Sequence, residues 1–359
     1  MTDSANIRFS GTQPVDERFR FNTASLENWM REHVTDFSGN LAVRQFKGGQ
    51  SNPTYLLSEG TRCWVLRRKP PGKLLASAHA VDREYRVLAA LEGSEVPVAI
   101  ARGLCLDETV IGTAFYIMDY VEGRIFWDSK LPECERTDRA AIFAEMNRVL
   151  GALHRIDLGA HSLSDYGRPG NYFVRQIDRW SRQYQSSPAG RIEAIERLIS
   201  WLSHNVPNNE EVALVHGDYR IDNLIFDPRE PRILAVLDWE LSTLGHPLAD
   251  LAYHCLPWHL PRDDPRSLSN ADWLPPGIPS EHEYVATYCQ HMGRGPIDPR
   301  DWTFCIAFSL FRIAAILHGI SGRVAVGTAA SAHAKETGRG AVNMAELAWQ
   351  TIASAGHSQ

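Results

Sequence analysis

Between Leu214 and Glu240 the chain reads LVHGDYRIDNLIFDPREPRILAVLDWE. His216, Asp218 and Asn223 stand in the spacing H-x-D-x-x-x-x-N, and Asp238 follows directly on the apolar run ILAVL. These residue types suit phosphoryl transfer, which needs a carboxylate beside the attacking hydroxyl, oxygen ligands for magnesium and positive charge on the phosphates. Asp218 can orient an acceptor hydroxyl and take its proton. The amide oxygen of Asn223 and the carboxylate of Asp238 are hard ligands that suit Mg²⁺. Taken singly, Asp218 and Asn223 are ordinary turn formers, and Asp238 reads as a cap for a helix starting near Pro247. Order and spacing together favour the catalytic reading. A metal-dependent hydrolase built on His216 and the same acids is the rival, but no second histidine stands at ligand spacing.

Such groups need stiff elements to hold them. LIF (224–226) and ILAVL (233–237) read as short buried strands, whose ends fix the acids beside them. Upstream, LAVRQF (41–46), TYLLSE (54–59), CWVLRR (63–68) and GTAFYIMDY (112–120) read as strands, the first two joined by the turn signal KGGQSNP. Leu26, Trp29, Met30 and Val34 share a helical face, with Ser25 as its N-cap. Val81, Tyr85, Leu88 and Leu91 mark a second helix. Ala141–Ile156, Tyr172–Tyr184, Ile192–Leu202, 281–293, 301–320 and 340–354 have helical spacing. The sequence therefore predicts an N-terminal tail over 1–24, loose over its first twenty or so residues, a nucleotide-binding lobe over 25–121 and a mainly helical catalytic and acceptor-binding lobe over 122–359, with the break near DYVEGR (119–124).

Composition sets the outer bounds. The chain has 359 residues, 44% hydrophobic and 22% charged, with net charge −6, which argues against nucleic acid or an anionic membrane as partner. Six scattered cysteines without a C-x-x-C predict reduced thiols and a cytoplasmic setting. The N-terminus lacks an apolar signal-peptide core, and no continuous apolar run approaches the roughly 18 residues of a membrane helix. Nothing in the sequence points to an obligate protein partner.

HGDYRIDN and VLDWE, with Gly48, Gly49 and Glu84 upstream, resemble the aminoglycoside phosphotransferase and choline kinase family. The resemblance runs from about Phe46 to the end, and its most specific part is the pair HGDYRIDN and VLDWE. It implies a protein-kinase-like bilobal α+β fold, with a five-stranded antiparallel N-lobe sheet and a mainly helical C-lobe, binding ATP and Mg²⁺. By this resemblance Asp218 is the catalytic base, Asn223 and Asp238 are the magnesium ligands, and His216 braces the catalytic loop. Asp250, in HPLADLA, holds that loop's backbone. FKGGQSNPTY matches the nucleotide-covering turn, with Gly48, Gly49, Ser51 and Asn52 near the phosphates. FYIMDYVEG matches the hinge, with Met118 behind the adenine and the backbone of Asp119 and Val121 on its edge.

One position departs from the family. Its phosphate-pairing lysine on the third strand falls on Arg67, with Lys69 on the same strand face and Arg68 pointing away. Arg67 can pair with Glu84 and reach phosphates with its fork, but in a different geometry from lysine. Asp238 is followed within a few residues by HPLADLA, leaving no room for an activation segment or peptide platform, so the acceptor is expected to be a small molecule. Trp239, Tyr253, Trp258 and Trp273, with Glu240, are candidate pocket residues that equally suit packing. VLRRKPPGKLL and LFRIAAILHGISGR resemble the family branch associated with acyl-CoA dehydrogenases, which implies a hydroxyacyl (CoA) metabolite as acceptor. An aminoglycoside or amino-alcohol kinase, or a nucleotide-binding pseudoenzyme, are the alternatives.

Overall fold

A computed structural model describes residues 11–47, 52–71, 80–269, 274–326 and 334–356. Gly48, Gly49, Ser51 and Trp273 lie outside these. Chain contacts divide the protein into two compact units. The first takes in the chain up to Asp128 together with Asp157–Tyr166 and Arg220–Ser242; the second is Ser129–Ile156, Gly167–Tyr219 and Thr243 onward. The segment holding Asn223 and Asp238 thus belongs to the first unit, although the sequence assigns everything after 121 to a C-terminal lobe.

Among the described residues, the first unit is built on an antiparallel sheet of six strands in the order β1–β2–β3–β4–β6–β5. They are β1 (Thr12–Gln13), β2 (Ala42–Phe46), β3 (Thr54–Glu59), β4 (Arg62–Arg68), β5 (Ala101–Cys105) and β6 (Phe115–Asp119). The β3–β4 turn is the pair Gly60–Thr61, with Gly60 at φ 59°, the left-handed backbone that tight hairpins demand. The sheet has one strand more than the expected five, because β1, from the predicted loose tail, pairs with β2 through Thr12 and Phe46. The rest of the described tail is not loose either: Val15, Phe19 and Phe21 pack against the sheet core. Helix α1 (Thr23–His33) buries Leu26 and Met30. Its cap is Asn22, whose side chain accepts from the Ser25 amide, and not Ser25 itself.

Helix α2 (Val81–Leu91) presents Val81, Glu84, Val87, Leu88 and Leu91 on one buried stripe. Glu84 therefore rides an apolar face into the interior and is not the surface charge its neighbours Asp82 and Arg83 suggest. The hairpin β8 (Leu224–Phe226) and β9 (Ile233–Val236) is tied to this unit by reciprocal backbone bonds between Arg124 and Phe226, both 2.8 Å, and by Val236 N–H to Pro97 O at 2.9 Å.

The second unit is mainly helical. It comprises α3 (Arg136–His154), α4 (Tyr172–Ser186), α5 (Glu193–His204), α6 (Pro247–His254), α7 (Glu281–His291), α8 (Pro299–Ala325), α9 (Ala334–Gly356) and a two-stranded ladder of β7 (Ala213–Val215) with β10 (Thr243–Gly245). Helix α8 is long and apolar enough to cross a membrane by length and composition, yet 72% of an apolar 18-residue stretch of it is buried inside the protein, the character of a core helix. It escapes a search for continuous apolar runs because Ser309, Arg312 and His318 interrupt it. Among the described residues no cysteine is joined in a disulfide, and five of the six, all but Cys63, are buried.

Gly123 sits under the β8–β9 hairpin, where a Cβ would run into the carbonyl oxygen of Phe226 and the side chain of Ile225. Gly123→Ala is expected to destabilise the protein by about 1–3 kcal/mol, read as a lower denaturant midpoint. An unchanged midpoint would show that this close approach is not needed.

Candidate active site

Within the first unit four charged side chains converge. Strand alternation on β4 turns Arg67 toward α2 and sends Arg68 to the opposite face. There Arg68 is buried against the rings of Phe21 and Tyr55, at 5.1 and 5.8 Å, and donates to Ile111 O at 3.2 Å. Arg67 Nε lies 2.8 Å from Glu84 Oε2, and the Arg67 terminal nitrogen lies 2.6 Å from Asp238 Oδ1 and 3.3 Å from Glu240 Oε2. Tyr116, paired with Arg67 across β4 and β6, donates its hydroxyl to Glu84 Oε2 at 3.1 Å. Asn52 Nδ2 donates to Glu84 Oε1 at 2.9 Å and approaches Glu240 Oε2 at 3.5 Å. The sequence places Asn52 near the phosphates; in the fold its side chain is fully buried and bonded to Glu84.

The electrostatics follow from this crowding. Three carboxylates share one guanidinium. Burial works against the charge of Arg67, but the carboxylates, Glu84 foremost, outweigh it and hold the group above its ordinary range. Glu84 is pushed up to about 7, chiefly by burial and further by Asp238 and Glu240, with Arg67 opposing. The side chain of Asp238 is 33% exposed, against 2% for Glu84. One carboxylate of the cluster is thus open to a ligand and one is sealed.

Asp238 adopts a left-handed conformation, φ 64° and ψ 59°, at the start of a single helical turn, Trp239–Leu241. It does not cap the helix at Pro247: His246 does, accepting from the Leu248 amide. Leu237 N–H donates to Asn223 O at 2.8 Å, which ties the backbone of one expected metal ligand to the residue preceding the other. Among the described residues no group of three or more His, Cys, Asp or Glu is arranged to hold a metal. An amide and one open carboxylate nevertheless fit a magnesium ion that takes its remaining ligands from phosphates and water.

In the hinge segment, Met118 is partly buried on β6. The Asp119 carboxylate takes a two-pronged bond from Arg102, both contacts 2.6 Å, and its N–H is bonded to Ile100 O at 2.9 Å. Any adenine bond at Asp119 must therefore use its carbonyl.

The second unit holds Asp218. The buried carboxylate of Asp250 accepts from the amides of His216, at 2.6 Å, and Gly217, at 2.8 Å. Burial raises the pKa of Asp250, but the bond from His154, the charges of His154 and His216 and the His216 amide outweigh it, so the group stays below the ordinary carboxylate range. His154 bridges Asp250, at 3.3 Å, and the hydroxyl of Tyr288, at 2.6 Å. Asp218 N–H donates to His216 Nδ1 at 3.1 Å, so His216 braces the backbone.

Sequence reasoning missed Tyr116 and placed Glu240 only as a pocket acid. Cross-strand alternation could have found Tyr116, since it faces Arg67 in the ladder. Of the candidate pocket aromatics, Trp239 is core, its indole N–H bonded to Val236 O at 2.9 Å, and Trp258 is bonded to Pro279 O at 3.1 Å.

The unusual charge of Glu84 has a pH signature. Its native pKa, about 7, lies above the ordinary 4.5. Between those values the native state keeps a proton that the unfolded chain has lost, so this contribution to stability is full below 4.5 and lost as pH rises through 7. Glu84→Gln should flatten the fall in stability between pH 5 and 7.5 by on the order of 3 kcal/mol, measured by denaturant unfolding without nucleotide. Parallel profiles for the two proteins would contradict the shift.

Comparison with known proteins gives one consistent result. A sequence profile of the phosphotransferase enzyme family, APH, matches residues 42–284. The chain is 46% identical over 341 residues to mouse acyl-CoA dehydrogenase family member 10, covering 94% of this chain and 32% of that protein. It is 41% identical over 329 residues to mouse acyl-CoA dehydrogenase family member 11, covering 90% of this chain and 42% of that one. It thus spans less than half the length of these curated relatives. A solved structure from Ralstonia eutropha JMP134, described as a candidate aminoglycoside phosphotransferase, superposes with TM-score 0.85 at 50% identity, covering 93% of this chain and 99% of that one. Aminoglycoside phosphotransferase APH(4)-Ia, solved with AMP-PNP and hygromycin B, shares the fold at TM-score 0.58 and 16% identity, covering 91% and 98%.

Proposed function

The chain belongs to the phosphotransferase enzyme family, and on that premise we propose that it transfers the γ-phosphoryl group of ATP, with Mg²⁺, to a hydroxyl of a small-molecule acceptor. The observation that supports this most is the Arg67 cluster. A guanidinium lies where the family has its phosphate-pairing lysine, and it contacts the partner carboxylate on α2 and the open carboxylate of Asp238.

In this reading Asn223 and Asp238 would hold the magnesium ion and Arg67 would hold phosphate oxygens, while Glu84 anchors the other edge of the guanidinium. Bound Mg–ATP supplies the phosphoryl group and neutralises its charge. Glu84, kept in place by Asn52 and Tyr116, prevents Arg67 from following the phosphates out of register. Asp218 accepts the proton of the acceptor hydroxyl. His216 and Asp250 fix the backbone that carries it.

We place the acceptor among hydroxyacyl metabolites, including their CoA esters. The support is the alignment of nearly the whole chain with part of two proteins named as acyl-CoA dehydrogenase family members. An aminoglycoside or amino alcohol is the second reading, favoured by the description of the Ralstonia structure.

Asp218→Asn should keep Mg–ATP affinity within a few-fold and lower turnover on an identified acceptor by at least about a hundredfold. A screen led by hydroxyacyl-CoA compounds, followed by amino alcohols and aminoglycosides, supplies the acceptor. Normal turnover by Asp218→Asn would remove Asp218 as the base.

A further inference from the structure

The peptide plane that enters Asp218 is held at both ends. Its N–H, from Asp218, donates to His216 Nδ1 at 3.1 Å. Its C=O, from Gly217, accepts from an Arg312 terminal nitrogen at 2.7 Å. Neither bond belongs to a helix or a strand ladder. The preceding peptide is held by Asp250, and Gly217 turns the chain at φ 82°, a conformation that favours glycine.

Arg312 is an odd residue to find there. It lies midway along α8, 8% exposed, with its guanidinium carbon 4.9 Å from the ring centre of Tyr253 and 5.8 Å from that of Trp180. Among the described residues no carboxylate pairs with it, and its Nε has no hydrogen-bond partner. A buried guanidinium without a carboxylate is costly, and a methionine or leucine would fill the space without that cost. What the charge does visibly is grip one carbonyl, with a charge-assisted bond stronger than a neutral donor could make. From this geometry we infer that Arg312 is a positioning residue for Asp218. It acts through the Gly217 carbonyl, setting the plane from which the Asp218 side chain projects. The inference rests on the reading of Asp218 as the base.

The test compares wild type, Arg312→Gln and Arg312→Lys, with Asp218→Asn as control. Two quantities are measured: release of inorganic phosphate from Mg–ATP with water as acceptor, and hydrogen–deuterium exchange of the peptide spanning 213–224. Arg312→Gln should lower kcat at least about tenfold with KM for ATP within about twofold. It should also speed exchange at the Gly217–Asp218 amides while the β8–β9 hairpin exchanges as in wild type. Arg312→Lys keeps a charged donor and should recover most of both. Unchanged exchange and kcat in Arg312→Gln would overturn the inference. So would an Arg312→Lys protein that folds but is as impaired as Arg312→Gln, since that would mark Arg312 as packing alone. If wild type releases no phosphate, or Asp218→Asn releases it as fast, the kinase reading or its base fails. The exchange contrast between the lysine and glutamine variants then still decides whether Arg312 sets the loop.

Discussion

The first unit is organised around one guanidinium among three carboxylates. Arg67 reaches its place because β4 alternates, and Glu84 reaches it because α2 turns that position onto its apolar stripe. Neither charge could be buried alone, since removing one partner of a buried pair leaves the other uncompensated. Together they bind strand to helix and leave Asp238 partly open on the far side. The exposed carboxylate of Asp238 would, with the amide of Asn223, hold a magnesium ion.

The arginine changes how that cluster works. A lysine offers a point charge, whereas the guanidinium fork holds Glu84 with one nitrogen and Asp238 and Glu240 with another. Glu240 and Asn52 take part in the same arrangement, so the glutamate in the sequence DWE belongs with the charge balance around Arg67 more than with a distant pocket. The second unit solves a parallel problem by other means. Its loop at Gly217 has no ladder to hold it, and Asp250, His216 and Arg312 replace the ladder with side chains.

Much of this is legible in the sequence, where a residue's role follows from its spacing. H-x-D-x-x-x-x-N, the acid after ILAVL and the alternation through Arg67 all survive as local structure. The 301–320 helix is there too, lengthened to Pro299–Ala325. What escapes is set by tertiary contact. Two residues at Thr12–Gln13 carry no strand signal until β2 offers an edge. β5 contains Gly103, which breaks alternation but leaves room for Trp29, whose ring would lie 2.8 Å from a Cβ there. Asn52 looks like a loop residue, and only the fold shows it donating to Glu84. Arg312 reads as a flaw in an apolar helix until the Gly217 carbonyl is seen beside it.

The central claim is that the Arg67 cluster is a metal-assisted nucleotide site with Asp238 as its open ligand. Calorimetric titration of ATP with and without Mg²⁺, on wild type and Asp238→Ala, tests it most directly. The account predicts binding that strengthens at least about tenfold with Mg²⁺ in wild type, a gain of about 1.4 kcal/mol or more, and the loss of that gain in the variant. Binding indifferent to Mg²⁺ in both proteins, or absent from wild type, would contradict it and leave Arg67 as a structural ion pair in a domain that no longer turns over ATP.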